Sequence, residues 1–354
     1  MKGHLILLDH LPGKDGPVET AALLRDGHLE DLLIDSDAPR PGTIYRARAD
    51  RPVKGQGGMF LETPDGSAFL RQVKGLSPGE PLLVQVTGYA SDGKAIPVTT
   101  RLLFKSRYAI VTPGAPGLNV SRQIDEEDRD ALLELAHDAL DGHPILAGED
   151  PAGLILRSSC AGADPHEVAQ DIRETADLAA QVLADAEGPP EKLTEGDGPH
   201  ATAWREWTVE AQIDTAPGCL EHHGALELIE ALRSPIVAIS PGHMAIEATR
   251  ALVAVDVNTG GDTSLAAGLK ANLAMARDLP RQLRLRGLGG IITLDVAPMP
   301  KKDRRSFEGA LRAALKTDDT ETVMAGWTPL GLYELQRKRS RLPLAALLTK
   351  EMLE

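Results

Sequence analysis

The first third of the chain is a succession of short apolar runs broken every few residues by Gly, Pro, Asp and Ser, and apolar spacing of helical period sets in only after residue 125. The opening runs are HLILLD and TAALLRDGHLEDLLID, the second reading as a hairpin around Asp26-Gly27, so residues 1–38 form a small β piece. Between Pro39 and Pro113 follow GTIYRARAD, GGMFLET, AFLRQV, PLLVQVTGYA, IPVTT and RYAIVTP. Short strands at such close spacing predict a small antiparallel barrel of the OB type over residues 39–125.

Helical spacing begins with EEDRDALLELAHDALD, whose acidic start suits the helix dipole. AGLILRSSCAGA then reads as a strand into a tight turn, and a second helix is predicted over about 165–186, closing a region of residues 126–187. The Gly- and Pro-rich polar stretch that follows reads as a linker or collapsed loop over 188–208 and marks a boundary. Residues 209–354 alternate ALELIEALR, PIVAISPGHMAIEATRALVAVDV, a helix and GGIITLDV. The fold class is therefore mixed α/β in several subdomains, with a strand–helix–strand crossover near the end.

In that crossover two uncharged runs each stop on an acid, ALVAVD at Asp256 and IITLD at Asp295. Strands joined by one helix should be parallel, so both ends face the same side of the sheet, where open α/β sheets bind ligands. Adjacent carboxylates repel unless a cation lies between them or one is protonated. Mg²⁺ suits such a pair, since it takes one or two protein carboxylates, keeps waters and accepts phosphate oxygens, and Mn²⁺ is an alternative. Asn258, two residues beyond Asp256, points to the same face and can orient a carboxylate or a substrate oxygen. The competing reading makes both aspartates ordinary strand-end acids that cap turns.

A formal net charge of −14 argues against capture of nucleic acid by a broad basic face, so any polyanion site is local or built around a metal. Within the barrel stretch Arg46, Arg48, Lys54, Phe60, Phe69, Arg71, Lys74 and Lys94 interleave aromatic and basic groups, as in stacking platforms for single-stranded nucleic acid; Phe60 and Phe69 read equally well as barrel core. Arg281, Arg284 and Arg286, with Arg337, Lys338, Arg339 and Arg341, are basic islands that either contact phosphates or pair with surface acids. Cys219, His222 and His223 lack a clear fourth ligand, and Gly287, Gly289 and Gly290 precede a strand where a dinucleotide loop would follow one. Two cysteines without a CxxC pair, no signal peptide and no apolar run of membrane length give the expectation of a soluble cytoplasmic protein without disulfides.

VEAQIDTA, ALVAVDVNTGGDT, NLAMARDLPRQLRLRGLGGIITLDVAPM, FEGALRAAL and PLGLYELQRKRSRLPL together resemble the core of the ribonuclease E/G family, and QLRLRxLGGxIxxDxxxM is a specific signature of it. The barrel segments, from PGTIYRARADRPVKGQGGMF to RYAIVTPGAPGLNVSRQI, are similar to the RNA-binding barrel of that family. The resemblance implies an OB-type barrel, a region similar to a 5′-end sensor, and a DNase I-like catalytic subdomain, with residues 1–38 a remnant of an RNase H-like subdomain. It implies a metal held by Asp256 and Asp295 with Asn258 positioning the site, and 5′-phosphate sensing by Arg157, Ser158 and Arg122; to these the reading of the residues themselves adds RNA contacts from Phe60, Phe69, Lys94, Arg281, Arg284 and Arg286. Mg²⁺-dependent hydrolysis of single-stranded RNA to 5′-phosphate and 3′-hydroxyl products follows, in RNA processing or decay.

Departures from the family pattern qualify that picture. Ser158 stands where the family has Thr, and Gln123 where it has a second basic residue. The loop after Asn258 is cut to Thr259-Gly260-Gly261 and Pro280 interrupts the helix leading into QLRLR; a CPxC zinc link after the core is not expected. The expectations are no zinc, a monomer or small homodimer, and a compact nuclease; a catalytically weak RNA-binding protein of the same fold, regulatory or ribosome-associated, is the competing class.

Overall fold

The computed structural model describes residues 2–53, 57–73, 75–90, 93–147, 150–349 and 351–353; Lys54 and Lys74 lie outside the described residues. The chain divides into two compact units, one made of Met1–Ser36 with Glu210–Glu354 and the other of Asp37–Val209.

The first unit opens with β1 (His4–Gly13), β2 (Gly16–Arg25) and β3 (His28–Ile34), an antiparallel meander whose second turn is the expected Asp26-Gly27 hairpin. Both turn residues have positive φ, 50° and 80°, the conformation that lets a two-residue turn follow the strand twist.

In the second unit β4 (Ile44–Val53), β5 (Gly58–Thr63), β6 (Gly66–Leu70), β7 (Pro81–Val86) and β8 (Ile96–Thr99) pair in the order β4-β5-β6-β8-β7, and β7 returns to β4. That closure makes a five-stranded, OB-like barrel around Tyr45, Ala47, Leu61, Val84 and Val86. A second sheet follows: β9 (Phe104–Lys105), β10 (Ala109–Thr112), β11 (Gly117–Val120) and β12 (Gly153–Leu156), ordered β11-β12-β10-β9. RYAIVTP, expected in the barrel, thus supplies β10 of this sheet, because its long-range pairing is with β12 and β9. Helices α1 (Glu126–Ala139) and α2 (Pro165–Ala184) cover it, with Ile172, Ala176 and Ala179 fully buried. The stretch expected as a linker, 188–208, instead carries β13 (Glu191–Thr194), which pairs with β4, and helix α3 (Pro199–Glu206). Arg46 explains the order there: buried at 4% exposure, it donates to Pro189 O at 2.8 Å and to Asp185 Oδ1 at 2.5 Å and pairs with Glu191. A polar composition hid a segment tied down by one buried guanidinium.

The first unit resumes with β14 (Ala211–Asp214), parallel to β1, so residues 1–36 join a sheet of order β14-β1-β2-β3 and share a core with α4 (Cys219–His222) and α5 (Ala225–Ala231). Its larger sheet is β15 (Ile236–Ala238), β16 (His243–Ala248), β17 (Leu252–Asn258), β18 (Gly290–Asp295), β19 (Thr322–Trp327) and β20 (Tyr333–Arg337), ordered β15-β16-β17-β18-β20-β19. Helix α6 (Leu265–Leu285) crosses from β17 to β18, α7 (Arg304–Lys316) packs beside it, and the short α8 (Leu344–Leu347) comes near the end. α6 continues through Pro280: burial of Met275, Ala276, Leu279 and Leu283 outweighs the one backbone hydrogen bond a helical proline forfeits.

Candidate active site

β17 and β18 are built from Val, Ile and Leu at alternate positions, and the alternation sorts their side chains by face. Val253, Val255 and Val257 of β17, with Ile292 and Leu294 of β18, are buried in the core shared with α6 and α7. Asp256, Asn258 and Asp295 consequently stand exposed on the opposite face. The two strands are parallel, and Asp256 is the register partner of Asp295. Neighbouring strands lie about 4.8 Å apart, so the carboxylates are side by side. The Asn258 amide donates from Nδ2 to Asp256 Oδ2 at 2.6 Å, which fixes that carboxylate's orientation.

Among the described residues no Lys, Arg or His forms an ion pair with either aspartate. Two like charges at this spacing are stable together only with a cation or a shared proton, and two carboxylates with an amide oxygen nearby are hard donors of the kind Mg²⁺ takes. The residues present therefore fit the metal implied by the sequence.

The surroundings hold the strand ends in place. Ser264 caps α6, its Oγ accepting from Ala267 N at 3.2 Å, while Asp262 Oδ1 accepts from Ser264 N at 2.9 Å. That backbone N–H keeps the Asp262 carboxyl below the usual range. Asn272, fully buried on α6, donates from Nδ2 to Ala297 O at 2.8 Å and accepts from Ala297 N at 2.9 Å. Its amide thus completes the backbone two residues beyond Asp295, a role marked in the sequence only by a polar residue at core-facing spacing. Gly268 lets the helix approach: a Cβ there would lie 2.2 Å from Pro298 O.

The basic residues expected to contact RNA near this sheet are turned inward. Arg281 donates to Asp278 Oδ1 at 2.7 Å and Leu29 O at 2.8 Å. Arg284 pairs with Asp318 and with Glu30 at 3.0 Å, and Arg286, 7% exposed, bonds Gln282 and Ser234 O. Arg337 is 2% exposed against Asp318 at 2.6 Å, and Arg341 pairs with Asp31 at 2.5 Å. These guanidinium groups are engaged within their own unit, those of Arg281, Arg284, Arg337 and Arg341 with acids and that of Arg286 with Gln282 and a main-chain carbonyl, rather than presented free towards the sheet face. Lys338 and Arg339 remain exposed. Cys219 is buried with its thiol on Leu8 O, and His223 pairs with Asp214 at 2.9 Å, so neither is presented as a ligand.

In the second unit Phe60 and Phe69 are cross-strand partners on β5 and β6, half-buried and outside the barrel core, with ring centroids 5.3 Å apart. The Arg51 guanidinium lies 5.1 Å over the Phe60 ring, and Lys94 is exposed. Arg157 and Ser158 adjoin the end of β12 as expected, and Arg122 is exposed after β11. Arg157 is already engaged: it donates to Ser106 O at 2.7 Å, to Arg205 O at 3.2 Å and to Glu206 Oε2 at 2.5 Å. Arg205 donates to the other Glu206 oxygen at 2.7 Å. Burial opposes ionisation of Glu206, but the two arginines outweigh it and hold its carboxyl below the usual range. Nothing in the sequence pointed to Glu206, because the pair joins residues 49 positions apart.

The model of the Ribonuclease E/G family matches residues 104–215 and 208–340, more than half the chain. Ribonuclease G of Escherichia coli (strain K12) is 29% identical over 398 residues, covering 92% of this chain and 78% of that protein. Ribonuclease G of Salmonella typhimurium (strain SL1344) is 28% identical with the same coverage. Ribonuclease E of Synechocystis is 26% identical over 381 residues, 91% of this chain and 55% of that protein. With the signature around QLRLR and the paired strand-end aspartates inside the matched segments, the chain belongs to the ribonuclease E/G family.

Proposed function

We propose that the chain is a Mg²⁺-dependent endoribonuclease that hydrolyses single-stranded RNA to 5′-phosphate and 3′-hydroxyl ends, in RNA processing or decay. The observation that carries this reading is the register pairing of Asp256 with Asp295, both exposed and without a basic partner among the described residues. Membership of the family and relatives named Ribonuclease G and Ribonuclease E support RNA as the substrate.

In this reading Asp256 and Asp295 hold the ion, and Asn258 keeps Asp256 in the binding orientation through its 2.6 Å hydrogen bond. Bound there, Mg²⁺ lowers the pKa of water and neutralises charge developing on the phosphoryl oxygens. The local cation also lets a chain of net charge −14 accept a phosphodiester. Phe60 and Phe69 offer ring faces for unstacked bases, which favours single strands over duplex. The larger sheet with α6 and α7 is the DNase I-like catalytic subdomain, the barrel the RNA-binding one, and the protein a cytoplasmic monomer. Among the described residues no helix is long and apolar enough to cross a membrane.

A second reading, an RNA-binding protein with weak turnover, is favoured by one observation: the Arg157 fork is filled by Glu206. The two are separated by incubating a fluorescent single-stranded RNA with the protein, with and without Mg²⁺, and analysing the ends of any products. Mg²⁺-dependent fragments bearing 5′-phosphates support the nuclease; binding without fragments supports the alternative.

A further inference from the structure

Hydrolysis of a phosphodiester moves two protons: the attacking water gives one up, and the departing 3′-oxygen takes one. Asp256 and Asp295, ionised to hold a cation, and the Asn258 amide are poor donors for the second transfer. A histidine stands beside them. β16 runs antiparallel to β17, so its first residue comes level with the last of β17, and His243 is the register partner of Asn258. Alternation along β16 buries Met244 and turns His243 and Ala245 to the other face, the face of Asp256, Asn258 and Asp295. Ala245 is the partner of Asp256, so the only side chain between β15 and that carboxylate in its own row is a methyl group.

The histidine is placed firmly and kept free. The turn before it closes through Ile239 N donating to Gly242 O at 3.1 Å. Gly242 has φ 82°, and a Cβ on it would lie 1.9 Å from Asn258 O, so only glycine lets the turn press against the end of β17. His143 and His223 are each held by an aspartate, whereas the half-buried His243 ring makes no hydrogen bond or ion pair with another described residue. The charged groups on its face of these strands are Asp256, Asp295, Glu247 further along β16 and Glu334 on β20, all acidic. Imidazole is the side chain suited to giving and regaining a proton near neutrality.

We propose that His243 is a catalytic residue, the general acid that protonates the leaving 3′-oxygen. This rests on the hydrolytic reading above. The water oxygen bonds to phosphorus, the P–O3′ bond breaks, its electron pair stays on O3′ and takes the proton from the imidazolium, and the products are a 3′-hydroxyl and a 5′-phosphate. The proton lost by water passes to solvent, and solvent reprotonates the imidazole.

The test compares two RNA oligonucleotides cut at one mapped linkage, identical except that the bridging 3′ atom there is oxygen or sulfur. A thiolate leaves without protonation. His243→Ala is expected to slow single-turnover cleavage of the oxygen substrate by about 100-fold or more, and of the sulfur substrate by only a few-fold relative to the unaltered protein. His243→Gln, which keeps a polar side chain but no titratable proton, should behave the same. RNA affinity, measured by fluorescence anisotropy in EDTA, should be unchanged in both. Equal losses on the two substrates, or retention of full activity on the oxygen substrate, would overturn the assignment of His243 alone. Absence of Mg²⁺-dependent cleavage by the unaltered protein would overturn the hydrolytic reading and this proposal with it.

Discussion

Two arrangements of charge distinguish the residues of this chain. Asp256 and Asp295 are held side by side without a basic partner among the described residues, while Arg157 is enclosed by Glu206 and two main-chain carbonyls. A carboxylate gripped by two arginines uses the donors that a terminal phosphate would need. The unaltered protein should therefore cut 5′-monophosphorylated and 5′-hydroxyl RNA at rates within about twofold, since displacing Glu206 offsets most of the phosphate's gain. Glu206→Gln should create a preference for the monophosphorylated substrate, on the order of tenfold for a charge-assisted bond or two regained. Competition between the two substrates in one tube measures this, and Arg157→Ala in the Glu206→Gln background should remove the preference.

At the scale of elements, the site depends on how α6 is seated. Asn272 satisfies both polar groups of the Ala297 peptide unit inside the core, and replacing it by Leu would leave them unpaired. Each buried group left unmade costs about 1–3 kcal/mol, so Asn272→Leu should lower unfolding stability by about 2–4 kcal/mol in urea denaturation and reduce cleavage as the Asp295 strand end loosens. On the barrel, Phe60→Ala with Phe69→Ala should weaken RNA binding by about 10-fold or more with little change in stability, because the pair lies outside the core; anisotropy titration beside thermal melting separates the two. These elements were legible to different degrees before the structure. Period-two alternation and the Asp26-Gly27 turn are local, and β1 to β8 followed from them. The paired aspartates were legible because one helix between two strands forces a parallel pair. Membership of β10 in a second sheet, the anchoring of residues 188–208 by Arg46 and the inward turn of Arg281, Arg284 and Arg286 all depend on partners far away in sequence. Composition carries no record of such partners.

Across the whole molecule, a net charge of −14 sets buried acids against the arginines of the first unit. Asp31 is one of these buried acids: burial opposes its ionisation, yet Arg341 and then Arg284 outweigh this and hold its carboxyl below the usual range. A carboxyl whose folded pKa lies below its unfolded value of about 3.9 contributes stability that is complete above that value and lost as pH falls through the folded one. Urea midpoints measured from pH 7 downward should accordingly fall steepest below about pH 4, and Asp31→Asn should be less stable at pH 7 with a flatter acid limb. Under the proposed reading, a local divalent cation is the means by which a chain with this excess of acid meets RNA, and that is the claim on which the proposal turns. The most direct test is single-turnover cleavage of a single-stranded RNA in Mg²⁺ by the unaltered protein, Asp256→Asn and Asp295→Asn, each first checked for native circular dichroism and melting. Loss of a ligand charge removes several kcal/mol of transition-state stabilisation, so each variant should be slower by on the order of 10³-fold or more. Cleavage by both variants at near the unaltered rate would contradict the account.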